Sequence, residues 1–298
     1  MLSPILPRLR PTSRAPRRPR RITPGFAAFL PVVSLLLAGP AQAADLSSNY
    51  EWQQVKTGGG GNVVGLVIHP NEPGLLYAKT DVGGGYRWDE STQTWTQLIT
   101  ADRLPSNRVV FEAMEGVEAF GIDPSDPDVV FVAHDPGSPD GVGQIYKSTD
   151  RGETWVEIVF PVGIKMEANG NGKRRERFGV DPNNGNVVYY GSRKQGLWRS
   201  TDGGDSFSQV TNGPSTTRNV ARMIFDESSG LAANGRTAVQ YVISSGEGVF
   251  RSSDGGASWS NISGGAGPDS GGSEGDAEIS SDGDYFAGCN QKKCQFPY

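Results

Sequence analysis

The segment Lys79-Thr80-Asp81-Val82-Gly83-Gly84-Gly85-Tyr86-Arg87-Trp88 gathers a carboxylate, a glycine run and two aromatic rings in one short stretch. A carboxylate on such a loop can act as a general base toward water, and glycines let a ligand approach the backbone closely. Tyr86 and Trp88 adjoin Asp81 and offer flat apolar faces on which a sugar ring can stack. Arg193 and Lys194 lie in the matching loop of a later repeat and can donate hydrogen bonds to hydroxyl groups. Each group also has a plainer reading. Asp81 can be the acceptor of an Asx-turn, the aromatics can pack between sheets, and the cations can be solvated loop charges. A catalytic Asp81 is expected to stand exposed on its loop, its carboxylate free of internal partners. An Asx-turn would instead bury it against the amides of Gly83 and Gly84.

The elements that must carry these residues read as strands. Apolar residues come in short runs, such as Val63-Val64-Gly65-Leu66-Val67-Ile68 and Asn186-Val187-Val188-Tyr189-Tyr190, each closed by Pro, Gly, Asp or Asn. The 41 glycines and 20 prolines suit many short strands joined by tight turns. Internal repetition is the strongest signal. Ser148-Thr149-Asp150-Arg151-Gly152-Glu153-Thr154-Trp155 recurs after 52 residues as Ser200-Thr201-Asp202-Gly203-Gly204-Asp205-Ser206-Phe207. After another 52 it returns as Ser252-Ser253-Asp254-Gly255-Gly256-Ala257-Ser258-Trp259. A worn copy runs from Tyr86 to Trp95. Periods of this size indicate a propeller or solenoid. The order strand, turn, strand, loop, strand, motif, strand describes a four-stranded propeller blade. In each motif the Asp accepts turn amides, the Gly two positions on permits positive φ, and the aromatic packs between sheets. Asp150, Gly152 and Trp155, with Asp202, Gly204 and Phe207 and with Asp254, Gly256 and Trp259, therefore read as structural.

The amino-terminal stretch is different in kind. Seven arginines and no acid lie between Arg8 and Arg21, followed by an apolar run from Phe26 to Ala38 and then Ala41-Gln42-Ala43. This order reads as a secretory signal peptide over residues 1–43, with an apolar run too short to span a bilayer. A secreted or periplasmic protein is expected, with the export route left open. Without those seven arginines, 21 basic residues face 33 acidic ones, a balance of about −12. That excess, with no basic stripe, excludes nucleic acid and anionic membrane surfaces as expected partners and leaves neutral glycans. The two cysteines, Cys289 and Cys294, can close a small disulfide loop or remain free thiols. With only His69 and His134 besides, they form no zinc site, and neither a metal nor a cofactor is expected.

The repeats resemble the Asp-box (BNR) repeats of sialidases, sortilin-type receptors and several glycoside hydrolases. The Asp81 segment resembles the R-T-D-I-G-G-A-Y-R-W stretch of glycoside hydrolase family 74, the xyloglucanase group, with Lys79 and Gly85 in place of Arg and Ala. Gly116-Val117-Glu118-Ala119, Glu176-Arg177-Phe178 and Gly196-Leu197-Trp198-Arg199 also look like that family, and the likeness runs from about Trp52 to Trp259. It implies an all-β fold on a seven-bladed plan, a β-glucan or xyloglucan partner, and inverting hydrolysis with Asp81 in the general-base position. In that family the general acid lies on a second propeller. Asp135, in the equivalent loop of the second repeat, has no family counterpart as the acid. Residues 44–298 are thus expected to hold about four blades, over roughly 50–100, 108–160, 174–212 and 218–263, with a fifth starting at 276–298. The expectation is a truncated, open propeller with its partner propeller missing. A catalytically inactive glycan- or protein-binding module is the rival reading. A sialidase is disfavoured because its usual Arg-Ile-Pro segment is absent.

Overall fold

Short strands closed by turn residues pair with their sequence neighbours, because a hairpin brings them together at the least entropic cost. The computed structural model describes residues 61–298 apart from 106–115, 138–139, 167–175, 264–275, 281–285, 291–292 and 296–298. All described residues fall in one unit, Gln53–Tyr298. The leader expected over residues 1–43 lies outside them.

The first sheet is β1 (Val63–Ile68), β2 (Leu76–Thr80), β3 (Gly85–Asp89) and β4 (Thr94–Gln97). The second is β5 (Gly116–Asp123), β6 (Asp126–Asp135), β7 (Gln144–Ser148) and β8 (Val156–Ile158). The third is β9 (Phe178–Val180), β10 (Val188–Gly191), β11 (Leu197–Ser200) and β12 (Ser208–Gln209). The fourth is β13 (Val220–Leu231), β14 (Thr237–Ser244), β15 (Gly248–Ser252) and β16 (Ser260–Asn261). The fifth has three described strands, β17 (Asp276–Ile279), β18 (Phe286–Asn290) and β19 (Lys293–Gln295). In every sheet the strands lie in chain order and pair antiparallel.

Successive sheets touch through their first two strands: β5 meets β2 and β9, and β13 meets β9 and β17. Each junction has its own apolar filling. Tyr77, Leu98, Val117, Phe120 and Trp155 fill the first, and Phe131, Phe178, Tyr190 and Trp198 the second. Tyr189, Leu197, Val220 and Met223 fill the third, and Ile224, Tyr241 and Ile243, with Ile279 against them, the fourth. Burial on both faces explains why Val188-Tyr189-Tyr190 reads as a continuous apolar run rather than an alternation. The sheets approach closely at Gly121, where a Cβ would lie 2.6 Å from Cβ of Phe178. On β1, Val63, Leu66 and Ile68 are exposed.

Each sheet has two ends. In the first, the β2–β3 loop carrying Asp81 shares one end with Gly61 and Asn62, since the Asp81 amide donates to the Asn62 carbonyl. The β1–β2 turn and the β3–β4 turn lie at the other.

Candidate functional site

Asp81 sits where β2 turns toward β3, and it is only 8% exposed. One oxygen, Oδ1, accepts from the Asn62 amide at 2.7 Å and from the Val82 amide at 2.9 Å, while Oδ2 accepts from Asn62 Nδ2 at 3.1 Å. This corrects both expectations. The carboxylate is neither exposed and unpartnered nor turned onto Gly83 and Gly84. Two of these three donors, both from Asn62, come from the chain entering the sheet, because Gly61, at φ 92°, lets that chain press against the loop. A Cβ at Gly61 would stand 2.7 Å from Oδ1 and 2.1 Å from the Val82 carbonyl. The result is a carboxylate held in one direction by fixed N–H groups. Tyr86 is buried and donates its hydroxyl to the Gly83 carbonyl at 2.8 Å, so it braces the loop instead of offering a stacking face.

Beside this loop lies a buried charge cluster. Glu118 on β5 is fully buried and pairs with Arg177 Nε at 2.5 Å and Arg193 Nε at 2.7 Å. Arg177 also donates through Nη1 to the carbonyls of Gly191 and Val220 and to Asn219 Oδ1. Lys79 donates Nζ to the Glu118 carbonyl at 3.2 Å and pairs with Glu176 at 3.0 Å. Burial pushes the Lys79 ammonium below its ordinary range, and the charge of Glu176 opposes that. Burial likewise pushes the neighbouring Tyr190 hydroxyl up, with the Glu118 charge adding to it.

The expected role of Arg193 in meeting a sugar is thus corrected: its guanidinium turns inward to Glu118, an ion pair that outcompetes solvation only because its partner is fully desolvated. Lys194 beside it is exposed. Sequence reasoning did not single out Asn62, Glu118 or Arg177 as site residues. The only signal was that Glu118 and Glu176-Arg177 stood within the family-like segments.

Trp88 is not beside Asp81. It lies three residues along β3 from Gly85, roughly 10 Å at the usual rise of a strand, and near the opposite end of the sheet. There it is half-buried, directly across the ladder from Trp95, with ring centroids 5.4 Å apart. Its indole N–H donates to Glu90 at 2.6 Å.

The Ser-x-Asp-x-Gly turns share one hydrogen-bond pattern. Asp150 Oδ1 accepts from the Ser148 hydroxyl at 2.6 Å and the Thr154 amide at 2.9 Å, and Ser148 Oγ accepts from the Gly152 amide at 2.8 Å. Asp202 with Ser200, Gly204 and Ser206 repeats this, as does Asp254 with Ser252, Gly256 and Ser258. Gly152, Gly204 and Gly256 all have positive φ. The hydroxyls of Ser200 and Ser206 hold the Asp202 carboxyl down to about 2, and the Ser258 hydroxyl and amide do the same for Asp254. Trp155 and Phe207 are buried, and Trp259 is half-buried. Trp155 ties its blade to the one before through Nε1 to the Leu98 carbonyl at 3.1 Å. Cys289 and Cys294 occupy directly opposite positions of the β18–β19 ladder. Among the described residues no group of His, Cys, Asp and Glu is placed to hold a metal, and no helix is long and apolar enough to cross a membrane.

Four-stranded antiparallel sheets in chain order, joined face to face through their inner strands, make this a partial β-propeller. No protein-family model matches the chain. It is 35% identical over 260 residues to xyloglucanase Xgh74A of Acetivibrio thermocellus, covering 80% of this chain and 30% of that protein. It is 39% identical over 194 residues to a xyloglucanase of Hypocrea jecorina, covering 61% and 21%. The Niastella koreensis GH74 enzyme superposes with a TM-score of 0.65 at 32% identity, over 79% of this chain and 34% of that one. The GH74 xyloglucanase of Xanthomonas campestris gives 0.65 at 31%, over 81% and 35%. The chain is a β-propeller of the glycoside hydrolase family 74 type. It spans between about a fifth and about a third of the length of these relatives.

Proposed function

We propose that the chain is the propeller of an exported xyloglucan hydrolase that acts with inversion, and that Asp81 is its general base. The observation that carries this is the clamp on Asp81: three N–H donors aim one carboxylate at the end of a sheet whose relatives are xyloglucanases. In an inverting hydrolysis the base takes a proton from water as its oxygen attacks the anomeric carbon. A carboxylic acid on the other side of the sugar protonates the departing glycosidic oxygen. That acid is proposed to lie on a second propeller, for which the greater length of the relatives leaves room. The Asp-box turns are proposed to hold the blades, and the basic-apolar leader over residues 1–43 to direct secretion or periplasmic export.

A second reading is favoured by the low exposure of Asp81: a propeller that binds glycan without cutting it. The test is release of reducing ends from xyloglucan by the chain, alone and with a separately expressed second propeller of a relative. Wild type and Asp81→Asn are compared after near-ultraviolet circular dichroism shows equal folding. A loss of about 10²–10⁴ in rate for Asp81→Asn is expected. Equal rates in both proteins would sink the role of Asp81, and binding without turnover in either would establish the binding module.

A further inference from the structure

The first sheet departs from the repeat where Trp88 stands. By register from the aromatic that closes the motif, Trp88 occupies the position of Ser148, Ser200 and Ser252. Those serines are buried and give their hydroxyls to the turn. In the first sheet Asp89 does that work alone: its Oδ1 accepts from the Ser91 amide at 2.9 Å, the Thr92 amide at 3.3 Å and the Ser91 hydroxyl at 2.6 Å. The turn therefore does not need residue 88, and the indole that replaces serine there stands half-buried beside a groove.

That groove, about 480 Å³, opens between the first and second sheets at the end remote from Asp81. Such a volume lies within the roughly 300–1,000 Å³ of small-ligand sites. One wall is Trp88 with the β1–β2 turn around Glu72, and the other is Asp150, Arg151 and Glu153 from the second sheet. Its polar groups are already fixed. Arg87 bridges to Glu153 at 2.6 Å and to the Arg151 carbonyl at 2.7 Å, while Arg151 holds Asp128 at 2.7 Å and Glu72 at 3.4 Å. Five acidic residues and two arginines line it, so an anionic ligand meets net repulsion. A flat apolar ring beside pre-ordered donors and acceptors suits a ligand with one C–H face and a rim of hydroxyls.

We propose that this groove is a second glycan-binding site, separate from the Asp81 end, in which Trp88 is the stacking platform for a neutral β-glucan chain. It would hold polysaccharide without cutting it and so keep the reactive end near its substrate. The choice of β-glucan rests on the function proposed above; the location of the site does not.

The experiment is isothermal titration of the full chain with a xyloglucan heptasaccharide, comparing wild type, Trp88→Ser and Trp88→Phe. Serine is the residue the other blades carry at this position, so Trp88→Ser is compatible with the blade, and Glu90→Asp can be added to rebuild the turn. Trp88→Ser is expected to weaken binding at least about tenfold, with Trp88→Phe intermediate. The proposal is overturned by absence of wild-type binding, or by equal binding in Trp88→Ser and wild type, which would put the ligand elsewhere. Binding of spermine in preference to the heptasaccharide would overturn it too, since a cation would then be the ligand. Failure of turnover with this binding intact would count against the proposed catalysis alone.

Discussion

His134 should make the protein acid-sensitive well above the range where its carboxylates titrate. It lies near the end of β6, 1% exposed, opposite Gln144 in the ladder and 6.3 Å from the Tyr146 ring. Burial pushes its imidazole down to about 4, against the opposing charge of Asp135 and the hydrogen bond with Gln144. In the unfolded chain it titrates near about 6.5. Between those values the unfolded state binds the extra proton, so stability is complete above about pH 6.5 and falls as the pH drops toward about 4. The difference of about 2.5 units at about 1.4 kcal/mol each sets the whole effect at about 3 kcal/mol. Urea unfolding of wild type and His134→Gln at pH 7 and pH 4.5 isolates it, because packing losses in the variant do not depend on pH. Wild type should lose about 2–3 kcal/mol more than the variant over that interval. A stability difference between the two proteins that stays constant across the interval would refute the reasoning.

Asp202→Ala should cost about 1–2 kcal/mol, since the turn is exposed and water can replace part of what Ser200 and Ser206 lose. Because the folded carboxyl is depressed to about 2, its contribution is present above about pH 4 and lost as pH falls toward 2. The variant should therefore show a shallower acid limb in a thermal melt series, and identical limbs would count against the turn. Gly121→Ala should destabilise by about 1–3 kcal/mol, because the new Cβ meets the Cβ of Phe178, an atom that no rotamer change can move. An unchanged urea midpoint would show that the sheets can part at no cost.

The blades were legible because they repeat. A 52-residue period, apolar runs and Ser-x-Asp-x-Gly turns all arise from local chemistry, and each leaves its own mark along the chain. The outermost strands were the faintest, since β12 and β16 are two residues long and too short to show a period. Side-chain pairings between separate stretches of chain left no mark. Asn62 grips Asp81 from 19 residues upstream, and Arg177 reaches Glu118 from a different sheet; no spacing rule links either pair. Trp88 shows the converse. It is close to Asp81 in the chain, yet an extended strand carries it to the far end of the sheet.

Stacked sheets in chain order behave as a nearly one-dimensional array, in which each unit can unravel while losing only its neighbour. Glu118 cancels that freedom. Lys79 from the first sheet, Glu118 from the second and Arg177 and Arg193 from the third share one buried cluster, and Arg177 continues to the Val220 carbonyl at the start of the fourth. Detaching any one of the first three sheets takes a partner from that cluster in addition to the apolar contacts at a junction, and breaking a buried pair costs about 3–5 kcal/mol. The cluster thereby couples the first sheet directly to the third, through Lys79 and Glu176, so that opening one sheet disturbs more than its neighbour.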